Sequence, residues 1–341
     1  NEPLLTLGSC TNTFLRRDKL STVLVLTNSY DDAHVNAVAR CVHRAGNRIL
    51  RVDTDRILRG DNYLVWDYQS DRVLLRTETN SLDLLESDSI WFRKPFGFGG
   101  RHGFAESIKE PVQREIVERE VRDIVSGLCT VLSSRRWVNH PNDMSQARLK
   151  PYQLKLARSM GFCVPDSIIT NDPEEAKLFC QAPTVFKMLA KQSFEYGDKF
   201  YSVDTTLMTD ELIANLSFIR SQPILLQRCV EKIAELRVTY VGGDVFVAKQ
   251  TTSVEGAPVD WRPLQGTHDS MYEPWDASPG FVAQIQSLMK RLNLKFAAID
   301  FAVDSDGVLW FLEVNPNGQW LGYTDEIGMP AAASMARLLA P

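Results

Sequence analysis

Asp300, Glu313 and Asn315 are the side chains of this 341-residue chain whose types and spacing most directly imply chemistry. They lie in AIDFAVDSDGVLWFLEVNPNGQ, Ala298 to Gln319, which reads as two strands joined by a turn from Asp304 to Gly307. Side chains alternate along a strand, so Glu313 and Asn315, two residues apart, share a face. The neighbouring hairpin strand brings Asp300 alongside them, directing two carboxylates and an amide oxygen at one point. That set suits a hard cation, Mg²⁺, bridging nucleotide phosphates. The alternative is the solvent-facing polar side of an edge hairpin, which is what an acidic turn by itself would be. Here acids interrupt otherwise apolar strands and are followed by Pro316, Asn317 and Gly318, which favours the metal reading.

Cations come next. Lys187 interrupts the apolar strand PTVFKML, and a lysine there is costly unless an anion pairs with it, so a phosphate partner is expected. A surface lysine on an edge strand is the alternative. Lys150, at the start of a helix, carries less information because lysines are common on helix surfaces.

These residues need elements to hold them. Thr22 to Asn28 is a β-branched run, followed by DDAHVNAVARCVHRAG with helical apolar spacing and Gly46 as C-cap, then by the strand RILRVDTD. This β-α-β opening predicts a small α/β unit with parallel pairing and a right-handed crossover. YLVWDYQ and RVLLRTE flank Ser70 and Asp71 as a hairpin, SIWFRKP is a strand closed by Pro95, and a helix runs from Glu110 to about Arg136. A second unit follows the break VNHPND. It starts with MSQARLKPYQLKLARSMG as one amphipathic helix, then the strand SIIT, the helix PEEAKLFCQ capped by Asp172 and Pro173, and the strand PTVFKML with FYSVDTTLM as its partner. A third unit opens with ILLQRCV, turns a hairpin at Gly242 and Gly243, carries the helix FVAQIQSLMKRLN and ends in the acidic hairpin. The expected domains are therefore 1–136, 137–222 and 223–341.

Composition excludes several function classes. With 44% hydrophobic and 24% charged residues the chain is an ordinary globular protein, and its net charge of -5 argues against a nucleic-acid partner. Six single cysteines with no CxxC pair indicate neither a zinc site nor a disulfide framework. No apolar run is long enough to span a membrane and the first residues lack a basic signal region, so a cytoplasmic protein with reduced thiols and no membrane partner is expected.

AIDFAVDSDGVLWFLEVNPNGQW resembles the closing hairpin of ATP-grasp ligases. More narrowly, its FLEVNPNGQW ending is similar to peptide-modifying ATP-grasp enzymes of the microviridin-ligase or graspetide-synthetase type. The likeness extends through SIWFRKP, VNHPNDMSQARLKPYQLKLARSMGFCVPDSIITN, LLQRCVEKIAELRVTYVGGDVFVAKQ and VDWR. It implies an α/β ATP-grasp fold, with an N-terminal pre-ATP-grasp α/β domain and two α+β domains holding ATP and Mg²⁺ between them. It implies that Lys150 and Lys187 meet phosphates and that Asp300, Glu313 and Asn315 hold the metal. Gln227, Arg228, Cys229 and Val230 fall where the interdomain hinge of this fold passes adenine, with backbone groups for the base and Val230 against its face. Glu235 resembles the ribose-binding acid, with Glu231 as an alternative. Arg237, two residues on and on the same face, resembles the arginine that steadies the transferred phosphoryl group, and Arg262 is a second such group. The phosphate-covering segment LAKQSFEYGDKF departs from the glycine-rich pattern, having only Gly197. Arg93 and Lys94 in WFRKP read equally well as functional or as residues that cap the strand or pair with acids.

The activity implied is ATP-dependent activation of a carboxylate as an acyl phosphate, captured by a hydroxyl or amine to give an ester or amide. The expected partner is a ribosomal precursor peptide with a leader and a core of Asp or Glu plus Ser, Thr or Lys, and the resemblance implies a homodimer. Two readings compete. One is a ligase for free amino acids or small peptides, separated by the presence of a precursor gene beside this one. The other is a catalytically silent nucleotide-binding regulator, against which the intact set Asp300, Glu313, Asn315 and Arg237 speaks.

Overall fold

A computed structural model describes residues 20–96, 108, 110–190, 193–196, 199–254, 258–261, 267 and 270–341. The chain opens with β1 (Thr22–Thr27), α1 (Asp32–Arg44), β2 (Arg48–Asp53), α2 (Thr54–Leu58), β3 (Tyr63–Asp67), β4 (Arg72–Arg76), β5 (Ser81–Asp83), β6 (Ser89–Phe92), α3 (Pro111–Val131) and β7 (Arg136–Val138). Strands β2, β1, β6 and β7 form a sheet in that order with every pair parallel, as the β-α-β pattern requires. The strand β1 is apolar at consecutive positions because both faces of a parallel sheet are covered. Its odd side chains, Val23 and Val25, pack with α1, and its even ones, Leu24 and Leu26, pack with β4 and α3. The hairpin of β3 and β4, extended by β5, stands as a separate antiparallel sheet.

The next elements are α4 (Pro141–Ala147), α5 (Lys150–Ser159), β8 (Ser167–Thr170), α6 (Pro173–Phe179), β9 (Thr184–Lys187), β10 (Ser193–Tyr196), β11 (Lys199–Ser202), β12 (Thr206–Leu207), α7 (Asp210–Ala214) and β13 (Ile224–Arg228). Three readings of this region are corrected. The single helix expected over MSQARLKPYQLKLARSMG is two helices, because Pro151 has no N–H and its ring would collide with the Ala147 carbonyl in a continuous helix. The break puts Lys150 at the first position of α5 and frees the Ala147 carbonyl to accept from Gln153 Nε2. The stretch FYSVDTTLM is also divided, Lys199–Ser202 pairing with β10 and only Thr206–Leu207 with β9. Finally, β13, read as the opening of the third unit, lies inside the central antiparallel sheet, between β9 and β8 in the order β12, β9, β13, β8.

The last part contains β14 (Lys232–Val241), β15 (Asp244–Thr252), β16 (Ser270–Pro274), α8 (Pro279–Arg291), β17 (Phe296–Asp304), β18 (Leu309–Asn315), α9 (Leu321–Glu326) and α10 (Ala331–Leu339). Its antiparallel sheet has the order β16, β15, β14, β17, β18. Gly242 and Gly243, at φ 59° and 116°, make the expected turn between β14 and β15, a left-handed geometry that a side chain would strain. One face of the sheet is sealed by Ile285, Leu288 and Met289 of α8 and Leu156 of α5 against Leu236, Val238, Ile299 and Phe301. Each such side chain contributes about 1.5–3 kcal/mol by leaving water, so this face is the rigid backing of the site. The other face carries the polar residues. No helix among the described residues is long and apolar enough to cross a membrane.

Candidate active site

Strand register decides which polar side chains meet. Arg237 on β14 lies opposite Asp300 on β17, and Asp300 lies opposite Glu313 on β18. The second pairing depends on a bulge: Phe301 pairs with Phe311 and Asp300 with Glu313, so Leu312 is an extra residue in β18. Without it Asp300 would face Leu312. Asn315 follows on the same face as Glu313, and its Nδ2 donates to Glu313 Oε1 at 3.1 Å, turning the amide oxygen away from that carboxylate. Gln153 fixes the strand from outside: its Nε2 donates to the Val314 carbonyl at 2.7 Å and its Oε1 accepts from the Val314 N–H at 2.9 Å.

Charges are paired across this row. Arg237 Nη1 reaches Asp300 Oδ1 at 2.9 Å and its Nη2 reaches Glu235 Oε2 at 2.7 Å. Lys232 also contacts Glu235, and its amine stands over the Trp261 ring at 4.6 Å. Lys150 Nζ approaches Glu313 Oε2 at 3.5 Å. Lys187 Nζ donates to Gln227 Oε1 at 2.8 Å, and Gln227 Nε2 donates to Ser167 Oγ at 2.9 Å.

Burial opposes the charge of Arg237, but the carboxylates of Asp300 and Glu235 outweigh it and raise its pKa. Burial, and then the nearby Glu313 charge, raise the Asp300 pKa against the pull of Arg237. Two carboxylates that disfavour one another's ionisation in this way are the arrangement a divalent cation relieves. Burial brings the Lys187 amine down to about 8. Among the described residues no group of three or more His, Cys, Asp or Glu side chains gathers into a metal cage. Two carboxylates and an amide oxygen fit instead a Mg²⁺ ion that completes its shell with phosphate oxygens and water.

Two cavities meet at this row. The first is lined by Lys187, Gln227 to Val230, Lys232, Glu235 and the apolar Val185, Ala302 and Leu312. The second is a cleft of about 1140 Å³ lined by Lys94, Phe96, Arg122, Arg148 and the segment Val314 to Trp320. Four residues line both: Lys150, Arg237, Asp300 and Glu313.

The hinge is more constrained than its sequence indicates. The Arg228 N–H donates to the Asp166 carbonyl at 2.8 Å and the Cys229 N–H to the Pro183 carbonyl at 2.9 Å, so neither is available to a base. The Val230 N–H has no hydrogen bond to a described residue. The Arg228 guanidinium stacks on Phe179 at 4.0 Å and donates to Thr184 Oγ1 at 2.9 Å, which holds it in the central unit. Gln227 is likewise spent on Lys187 and Ser167. Arg262 and Gly197 lie outside the described residues.

A family profile, the MvdD pre-ATP grasp domain, matches residues 22–145. The macrocyclase MdnC of Microcystis aeruginosa MRC, solved with its precursor peptide MdnA, is 27% identical, with 93% of this chain and 99% of that chain covered and a TM-score of 0.80. These likenesses support the ATP-grasp fold for this chain and a relationship to the graspetide synthetases. A second macrocyclase, MdnB of the same organism, is 26% identical, with 94% and 99% covered and a TM-score of 0.74. A RiPP-associated ATP-grasp ligase of Chryseobacterium gregarium, solved with ADP and a leader and core peptide, is 24% identical, with 94% and 96% covered and a TM-score of 0.82. No curated protein sequence matches the chain.

Several residues of this site carried no readable signal in the sequence. Lys232 is a lysine at a strand start, and only the bulge between Lys232 and Ala234 turns it onto Glu235. Gln153 looks like an ordinary helix glutamine until its 2% exposure shows it is inside the molecule. Arg93, fully buried, joins neither cavity. It pairs with the acid Asp31, as one of the readings left open for it has it, and also binds the segment Asn317 to Gln319.

Proposed function

We propose that this ligase activates Asp or Glu side chains of a precursor peptide and joins them to hydroxyl or amine side chains of the same peptide, closing macrocyclic ester or amide links. The observation that carries this reading is the set Lys150, Arg237, Asp300 and Glu313 lining both cavities, because a γ-phosphate entering from one side and a carboxylate from the other meet there. The first cavity takes the nucleotide, with the Val230 N–H and apolar walls for the base, Glu235 for the ribose and Lys187 and Lys150 for the phosphates. The larger cleft takes the peptide, whose length explains why it exceeds the space a free amino acid needs.

Asp300, Glu313 and the Asn315 amide oxygen would hold Mg²⁺, which would supply neutralisation of phosphate charge. A substrate carboxylate oxygen attacks the γ-phosphorus, a P–O bond forms, and the bond to the bridging oxygen breaks to leave ADP. Arg237 stands where negative charge accumulates in that step. A hydroxyl or amine then attacks the acyl carbon, the C–O bond to phosphate breaks, and phosphate leaves as the nucleophile gives up its proton. Arg262 belongs to the same proposal as a holder of the acceptor side. So does a homodimer, which the molar mass from light scattering checks.

The test is incubation with ATP, Mg²⁺ and the precursor peptide encoded beside the gene. Each bond formed should remove one water from the peptide, by mass spectrometry, with one ADP produced per bond. An unmodified peptide together with ADP release stimulated by free amino acids would establish the small-molecule ligase instead.

A further inference from the structure

The six residues after Asn315 are held by side chains that precede the central sheet in the chain. Asn139 Nδ2 donates to the Pro316 carbonyl at 2.9 Å. Arg93 Nη1 donates to the Asn317 carbonyl at 3.0 Å, to Asn317 Oδ1 at 3.1 Å and to the Gly318 carbonyl at 2.8 Å, and its Nη2 donates to Gln319 Oε1 at 2.7 Å. His34 Nε2 accepts from the Trp320 and Leu321 N–H groups at 3.4 and 3.3 Å. Asp31 unites the last two holders, accepting from Arg93 Nε at 2.6 Å and contacting His34 Nδ1 at 2.9 Å.

This segment cannot move without moving Asn315. The Gly318 N–H donates to the Asn315 carbonyl at 3.1 Å. A Cβ placed on Gly318 would lie 2.5 Å from the Ala298 Cβ and 3.1 Å from the Asn315 Cβ, and these two residues are register partners on β17 and β18. The loop is therefore folded hard against the strand end that carries the amide.

We propose that Arg93, with Asp31 and His34, is a positioning device through which the N-terminal α/β unit sets the Asn315 end of the Mg²⁺–nucleotide site. The proposal rests on the metal reading of Asp300, Glu313 and Asn315. Arg93 is suited to it because a planar guanidinium with five N–H donors can hold one carboxylate and three successive residues at once, which a lysine ammonium cannot. Asp31 keeps that charge paired inside the protein, where an uncompensated one would be costly.

Arg93→Lys preserves the charge beside Asp31 and removes the fork, and Gln319→Ala removes one acceptor without touching a buried charge. Binding of ADP is measured by calorimetry with and without Mg²⁺, and folding by circular dichroism. In the wild type Mg²⁺ tightens ADP binding. In Arg93→Lys that tightening falls at least roughly tenfold while Mg²⁺-free ADP binding stays unchanged, and Gln319→Ala shows a smaller loss of the same sign. If both variants keep the wild-type Mg²⁺ effect, or if a folded variant loses ADP binding equally with and without Mg²⁺, the positioning role is wrong. If Arg93→Lys does not fold, Gln319→Ala decides alone. A wild type whose ADP binding ignores Mg²⁺ overturns the metal reading itself and this inference with it.

Discussion

Asp300 and Glu313 face each other across β17 and β18 because Leu312 is inserted as an extra residue between Phe311 and Glu313. The same row continues to Arg237, whose Nη1 lies 2.9 Å from Asp300 Oδ1, so acid, acid and guanidinium stand side by side on three adjacent strands. Their closeness is the physical basis of the proposed chemistry, and each of the following expectations draws on it or on the elements that hold it.

Glu313→Gln keeps the shape of the side chain and removes one of the two carboxylates. ATP-dependent peptide modification should fall by about 10²-fold or more, the range seen when a site loses one preorganised charge-stabilising group. Asp306→Ala, in the exposed turn before Gly307, should change the rate by less than a factor of two or so. Equal losses in steady-state ADP release would show that the hairpin has been assigned the wrong role.

Lys187 has been brought down to about 8 by burial, and only its protonated form attracts phosphate. ADP affinity of the free protein should therefore weaken as pH rises through about 8, and bound phosphate should shift that midpoint upward by stabilising the ammonium. Lys187→Met should bind ADP roughly 10- to 100-fold more weakly at pH 7, the worth of a charged hydrogen bond, and should lack the change near pH 8. Calorimetric titrations from pH 6.5 to 9 separate the two behaviours, and parallel pH profiles for the two proteins would remove Lys187 from the phosphate site.

Lys94 has a left-handed backbone, φ 51°, and burial, aided by the Arg93 charge, brings its amine down to about 6. The unfolded chain keeps that proton up to about pH 10, so between about 6 and 10 it binds one proton more than the folded protein, and this group makes stability rise with pH. Lys94→Met removes the titration. The variant should be more stable than the wild type at pH 7, on the order of 1–3 kcal/mol, with the gap closing toward pH 10. Urea unfolding at the two pH values measures it, and a gap that widens toward pH 10 would reverse the sign.

Gln153 satisfies three backbone groups, the Val314 N–H and the carbonyls of Val314 and Ala147. Gln153→Leu leaves these polar groups buried without that partner, at a cost of about 2–4 kcal/mol in unfolding free energy. Gln153→Glu should be nearly as damaging, because a carboxylate can accept from Val314 but cannot donate to either carbonyl. A thermal shift of under a degree or two for both would mean that water replaces the side chain readily.

The residue pattern alone determined the local geometry of this protein. Period-two alternation placed Glu313 and Asn315 on one face, β-branched runs and glycines bounded the strands and the turn at Gly242 and Gly243, and the β-α-β order fixed a parallel N-terminal sheet. Such features follow from sterics within a few residues and need no partner. Pro151 also carried its message locally, since a ring without an N–H divides a helix whatever surrounds it, although the amphipathic spacing across it pointed to one helix. Tertiary structure decided the rest. Whether Asp300 meets Glu313 or Leu312 depends on a one-residue shift between strands, which no alternation pattern specifies. Which lysine meets Gln227 and which joins Glu235 depends on how the sheets are placed, as does the loss of the Arg228 and Cys229 N–H groups to Asp166 and Pro183. Arg93 and Asn317 are separated by 224 residues, and a side chain that acts by filling hydrogen bonds at that separation leaves no periodic trace. Hydrogen-bond donors and acceptors are matched by position in space, and the chain brings those positions together only when its sheets have been assembled.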